Sequence, residues 1–101
     1  MPSYGRYVAI TICVLLSAVP GQELSLHEYE DRVLELLAAH EGRVIGRLRA
    51  LDGPFTEVQL LEFASERSLA EFQDDPQRLA LSELREASIA STTVIRVEPI
   101  G

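Results

Sequence analysis

The feature that most constrains this chain is the apolar run Val8–Leu16, Val-Ala-Ile-Thr-Ile-Cys-Val-Leu-Leu, with Arg6 upstream and Ser17-Ala18-Val19-Pro20-Gly21 behind it. Two readings compete. As a secretory signal it is an h-region behind a short basic n-region, and it is removed. As a strand it is rich in β-branched residues, apolar on both faces, and the spine of the fold. Ser17-Ala18-Val19 matches the small-x-small cleavage pattern poorly, and the run is too short for the roughly 20 apolar residues of a spanning helix. The strand reading is therefore preferred, and with it a cytoplasmic protein.

The residues downstream give that strand partners. Ser25-Leu26-His27-Glu28 fits a capping box, and apolar positions recur at helical spacing through Leu26, Tyr29, Val33, Leu36, Leu37 and His40. Glu28, Glu30, Asp31 and Glu35 are expected on the opposite, solvated face, and Gly42 is expected to stop the helix. Arg43–Leu51 alternates, with Val44, Gly46, Leu48 and Ala50 on one side and Arg43, Ile45, Arg47 and Arg49 on the other. After Asp52-Gly53-Pro54, a second strand runs from Phe55 to Ala64, with Val58, Leu60 and Glu62 opposite Gln59, Leu61 and Phe63. Ser65 caps a short helix, Asp75-Pro76 restarts it, and Thr92–Val97 forms the last strand.

The order strand, helix, strand, strand, helix, strand predicts an α+β, ferredoxin-like βαββαβ domain over residues 1–101: a four-stranded antiparallel sheet with two helices on one face. The other sheet face stays apolar and needs a cover. A second copy of the chain, in a homodimer through the sheet face, is the simplest one.

Composition narrows the partners. The formal net charge is −7, which disfavours nucleic acid and anionic membranes. All nine basic residues are arginine, so lysine chemistry is excluded. Cys13 is the only cysteine; no intramolecular disulfide or cysteine-cluster zinc site is available, and a small buried hydrophobe is its expected role. The two histidines lack metal-ligand spacing, so no metal and no cofactor are expected. No phosphate loop, dinucleotide fingerprint or Ser-His-Asp order is present.

The stretch His40-Glu41-Gly42-Arg43 followed by Arg47 resembles the His-Gly-Gly-Arg…Arg segment of a bacterial family of domains of unknown function in the dimeric α/β barrel superfamily, related to the antibiotic-biosynthesis monooxygenase-like proteins. Leu61-Glu62-Phe63, Phe72-x-Asp74-Asp75-Pro76 and Leu84-Arg85 fit the same pattern, over roughly Tyr7 to Glu98. The glycine-rich element after Arg47 is replaced by Leu48-Arg49-Ala50, and the Ser17–Leu24 loop is longer. The resemblance implies a dimeric α/β barrel and, among relatives, cofactor-free monooxygenases, isomerases, cyclases and haem-handling proteins; fold alone does not choose among them.

The function expected from these readings is a cofactor-independent small-molecule enzyme. It would carry out cyclase- or isomerase-type acid–base chemistry on an apolar, oxygenated, polyketide-like substrate. His40, at the end of the first helix, is the candidate acid–base, and Arg47 the group that stabilises developing negative charge. The plain alternatives are a histidine satisfying helix-end carbonyls and a structural Arg–Glu pair. Tyr7, Tyr29, Arg49, Glu62, Phe63 and Arg96 are the candidate substrate contacts. A non-catalytic ligand-binding protein and a cofactor-free monooxygenase are the rival functions.

Overall fold

Alternation along the first apolar run sorts its side chains into two environments. Ile12, Val14 and Leu16 are buried, whereas Thr11, Cys13 and Leu15 between them are half-buried. The computed structural model, which describes residues 9–100, places this strand (β1, Ile10–Ala18) inside a four-stranded antiparallel sheet of order β2-β3-β1-β4. The others are β2 (Gly42–Arg49), β3 (Glu57–Phe63) and β4 (Ile89–Val97). Because β1 pairs with both β3 and β4, removing it would split the sheet. Val8, the expected start of the strand, lies outside the described residues.

Helix α1 (Glu23–Leu34) packs its Leu26, Tyr29 and Val33 against the sheet. Its start differs from the expected capping box. Gln22 is the cap residue and makes no side-chain capping bond, while the Ser25 hydroxyl donates to the Gln22 side chain. Its end differs too. A 3₁₀ turn (Leu37–His40) follows, and Glu41, in the left-handed region at φ 54°, makes the reversal that Gly42 was expected to make. Gly42 is required for a different reason: a Cβ there would stand 2.9 Å from a ring carbon of Phe63, so the strand can lie on that ring only without a side chain.

The second helical layer follows the sequence closely. Ser65 caps α2 (Glu66–Gln73) by accepting from the Ser68 N–H. Asp75 caps α3 (Pro76–Leu79) through the Gln77 N–H, with Pro76 in the first turn. Helix α4 (Ser82–Ser88) then leads directly into β4. The core lies between the helices, α1 included, and one sheet face, and its centre is Ile12, Val14, Leu16, Tyr29, Leu61, Phe63 and Phe72.

One irregularity reorders the expected faces of β2. Val44 pairs with Leu61 but Gly46 pairs with Leu60, which leaves Ile45 as the extra residue of a bulge. Side chains beyond the bulge change sides. Arg43 therefore lies opposite Glu62 on the open face, whereas Arg47 and Arg49 lie opposite Gln59 and Glu57 on the helix face. A strict period-two reading had put the three arginines together.

That open face is the one the helices do not cover. Leu48 (61% exposed) and Ile95 (46%) stand on it, beside half-buried Cys13, Leu15, Val58 and Leu60. Cys13, expected as a small buried hydrophobe, is thus a half-buried member of an uncovered face.

Candidate functional site

The helices do not fill the space above the sheet completely. A cavity of about 80 Å³ remains between β1, β3, β4 and the helices. Its walls are apolar, including Ile12, Val14, Leu61, Val33, Leu69 and Phe72. Its polar groups are Glu30, Gln59, Gln73, Arg78, Arg85 and Thr92. An apolar wall with a few convergent polar groups is the lining of a small-molecule site, here at a volume well below the roughly 300–1,000 Å³ of sites for drug-sized ligands.

Glu30 is the unexpected member. It is 6% exposed, although its neighbours Asp31 and Glu28 are in water. Helix geometry explains this: Glu30 follows Leu26 by four residues and precedes Val33 by three, so it stands in the apolar stripe itself. That spacing was the available signal. Burial pushes its carboxyl above the ordinary range, and the Glu57 charge adds to the rise; the Gln59 hydrogen bond, Arg47 and Arg78 oppose it.

Gln59, 1% exposed, joins the cavity to a second polar group. Its amide nitrogen donates to Glu30 Oε1 and to Glu57 Oε2, both at 2.7 Å. Glu57, also 1% exposed, receives Arg47 Nε at 2.7 Å and lies 2.5 Å from His27 Nδ1. Burial works to raise the Glu57 carboxyl, but hydrogen bonds from Arg47, Gln59 and His27 together outweigh it and hold the group below the carboxylate range. Arg47 also donates to Asp31 Oδ1 at 2.6 Å and to the His27 carbonyl at 3.0 Å. The Glu57 bond, the largest influence, raises the already high Arg47 pKa further.

The two residues expected to carry catalysis are not brought together. His40 Nε2 lies 2.7 Å from Asp75 Oδ2, and its ring meets Phe72 edge-on. It is not on the wall of that cavity. The His40 bond, then the Gln77 N–H, hold the Asp75 carboxyl below its ordinary value. His40 thus fastens the α1 end to the α3 cap. Arg47 lies further along β2, bound to Glu57 at the outer end of the Gln59 network.

The expected substrate contacts are dispersed. Tyr7 lies outside the described residues. Tyr29 and Phe63 are core residues. Burial raises the Tyr29 phenol, and Arg78, the leading opposing influence, and Arg85 limit the rise. Arg49 lines a separate open groove with His27, Asp31 and Arg47. Glu62 is engaged by Arg43 at 2.8 Å on the open face. Arg96 forms a bidentate pair with Glu66 at the surface. Arg85 is half-buried and lines the cavity. Among the described residues no group of three or more histidine, cysteine, aspartate or glutamate side chains is placed to hold a metal ion, and no helix is long and apolar enough to cross a membrane.

No protein-family model and no curated protein matches the sequence. Solved structures do match the fold. A candidate antibiotic biosynthesis monooxygenase from Nitrosomonas europaea is 14% identical with a TM-score of 0.75, covering 91% of this chain and 90% of its own. A DABB family protein with a ferredoxin-like fold from Mesorhizobium loti is 17% identical with a TM-score of 0.66, covering 92% and 98%. A dimeric protein of unknown function and ferredoxin-like fold from Bacteroides fragilis is 16% identical with a TM-score of 0.69, covering 89% and 95%. The ferredoxin-like fold anticipated from element order is therefore the fold of the chain, and its structural neighbours include DABB and antibiotic biosynthesis monooxygenase-like proteins.

Proposed function

We propose that this chain is a cofactor-independent enzyme that binds an apolar, oxygenated small molecule between helices and sheet and moves a proton on it, as in an isomerisation or cyclisation. The observation that carries the reading is Glu30: a buried carboxyl on an apolar cavity, its pKa raised by burial, with Arg78 and Arg85 on the same walls. A carboxyl shifted upward toward the operating pH can both take and return a proton. A proton removed from carbon would pass to Glu30, and its electron pair would move onto the substrate oxygen, where a guanidinium stabilises it. In this reading Glu30 takes the role expected of His40, and Arg78 with Arg85 the role expected of Arg47.

The test is hydrogen exchange into small enolisable aryl ketones in D₂O, followed by proton NMR. The wild-type protein is expected to incorporate deuterium above buffer, and E30Q to lose about 10²-fold or more of that rate. No exchange with any ketone, or equal exchange by E30Q, would overturn the reading and leave a ligand-binding protein. The structural likeness to a candidate monooxygenase favours cofactor-free oxygenation as the second reading. Turnover that persists without oxygen removes it.

We also propose that two copies pair through the open sheet face. Exposed Leu48 and Ile95 on that face, and the dimeric state of the Bacteroides fragilis neighbour, support the pairing. Light scattering is expected to give twice the chain mass for wild type and one chain mass for L60R. A wild-type monomer at high micromolar concentration would contradict it.

A further inference from the structure

The arginines of this chain divide into two groups. Arg43, Arg47, Arg67 and Arg96 each meet a carboxylate: Glu62, Glu57 with Asp31, Glu71, and Glu66. Arg32, Arg49, Arg78 and Arg85 meet none within ion-pair distance among the described residues; Arg32 and Arg49 are exposed to water, whereas Arg78 and Arg85 are half-buried on the cavity wall. In a chain with sixteen acidic and nine basic residues, carboxylates are in excess, so an unmatched guanidinium against an apolar chamber needs an explanation.

Arg78 is also held in place. Its Nη1 donates to the Gln73 carbonyl at the end of α2 at 3.0 Å, and its guanidinium lies 5.6 Å from the centre of the Phe72 ring. These contacts fix the plane of the fork. Yet Nε is buried and has no hydrogen-bond partner among the described residues. A buried N–H without an acceptor costs free energy comparable to a lost hydrogen bond. Glu30 faces the same chamber and feels the Arg78 charge, but the two do not pair.

We infer that the ligand of this cavity carries an anionic oxygen (carboxylate, phenolate or enolate) on an apolar body, and that the Arg78 guanidinium on the cavity wall receives it. The inference rests on the reading of the cavity as the reaction site. Both residues line the chamber: the guanidinium donates to the oxygen, and Glu30 in its protonated form donates a second hydrogen bond. Arg85 adds a second positive charge on the same wall. Phe72, Leu61 and Val14 enclose the apolar body. A neutral ligand of the same shape would fill the chamber but leave the guanidinium without a counter-charge, so discrimination falls on charge and not on size.

Benzoate and benzamide, matched in shape and different in charge, are the probes, with binding followed by isothermal titration and by amide chemical-shift changes of Leu61 and Phe72. Wild type is expected to bind benzoate at least tenfold more tightly than benzamide. R78Q is expected to bring the two affinities within about twofold while still binding benzamide, which also reports that the chamber has kept its shape. R78K, which keeps the charge without the fixed fork, is expected to fall between. Equal affinities in wild type, or a benzoate preference unchanged in R78Q, would overturn the inference while leaving the cavity as a site. Failure of both probes to bind would overturn the inference together with the reading of the cavity.

Discussion

Glu30 and Glu57 share one hydrogen-bond donor and face opposite fates. Both are buried, and the two hydrogens of the Gln59 amide point one to each. Glu57 has Arg47 and His27 against it, and its carboxyl is held low. Glu30 has apolar walls and a guanidinium it does not touch, and its carboxyl is held high. Burial acts on both in the same direction, and the Arg47 hydrogen bond is the leading influence that turns Glu57 the other way. Glu57 is committed to the fold as an anion. Glu30 is left able to change protonation state, which is what proton transfer requires. The shared amide couples them, because the negative charge on Glu57 itself helps to raise Glu30.

The sharpest way to break this contrast is to make Glu57 resemble Glu30. R47A removes the main cation from a carboxylate that is 1% exposed. A loss of about 3 kcal/mol in urea unfolding is expected, as for other buried charges left without a partner. A loss below about 1 kcal/mol would mean that Arg47 behaves as an ordinary surface pair.

A smaller effect separates the two carboxylates by pH. For E57Q, a loss of about 2 kcal/mol is expected at pH 7, from charged hydrogen bonds made neutral. Because the folded Glu57 pKa lies below its unfolded value, its stabilisation is full above the ordinary carboxylate pKa. It is lost as pH falls through the folded one, so the E57Q penalty shrinks in acid. E30Q should behave in the opposite sense. A folded pKa above the unfolded one means that the ionised group burdens the native state at higher pH. E30Q is therefore expected to melt higher than wild type at pH 7, by the smallest margin of this series, with the gain vanishing as pH drops below the ordinary carboxylate pKa. Equal signs for the two variants in thermal melts across pH 3–8 would dissolve the contrast.

Much of the fold was legible because its signals are local. The β1 run, the alternation of β3, the Ser65 cap and the Asp75-Pro76 restart each depend on residues within a few positions of one another. The β2 faces were not legible, because a bulge at Ile45 changes the parity of every side chain beyond it and no local residue announces it. The site was legible only in part. Glu30 stood at helical spacing from Leu26 and Val33, but its charge suggested solvent. His40 stood in the same apolar stripe, and its commitment to Asp75 depends on a residue 35 positions away.

The amino-acid sequence by itself determined the order of elements, the ferredoxin-like topology and the existence of one apolar sheet face without a cover, since strand and helix periods and caps are properties of neighbouring residues. Only the tertiary structure decided which charged groups are matched. Arg47 is taken by Glu57 and His40 by Asp75, while Glu30 and Arg78 face one chamber unpaired. Partners of that kind are set by distances between elements far apart in the chain, and a one-residue bulge is enough to redirect them.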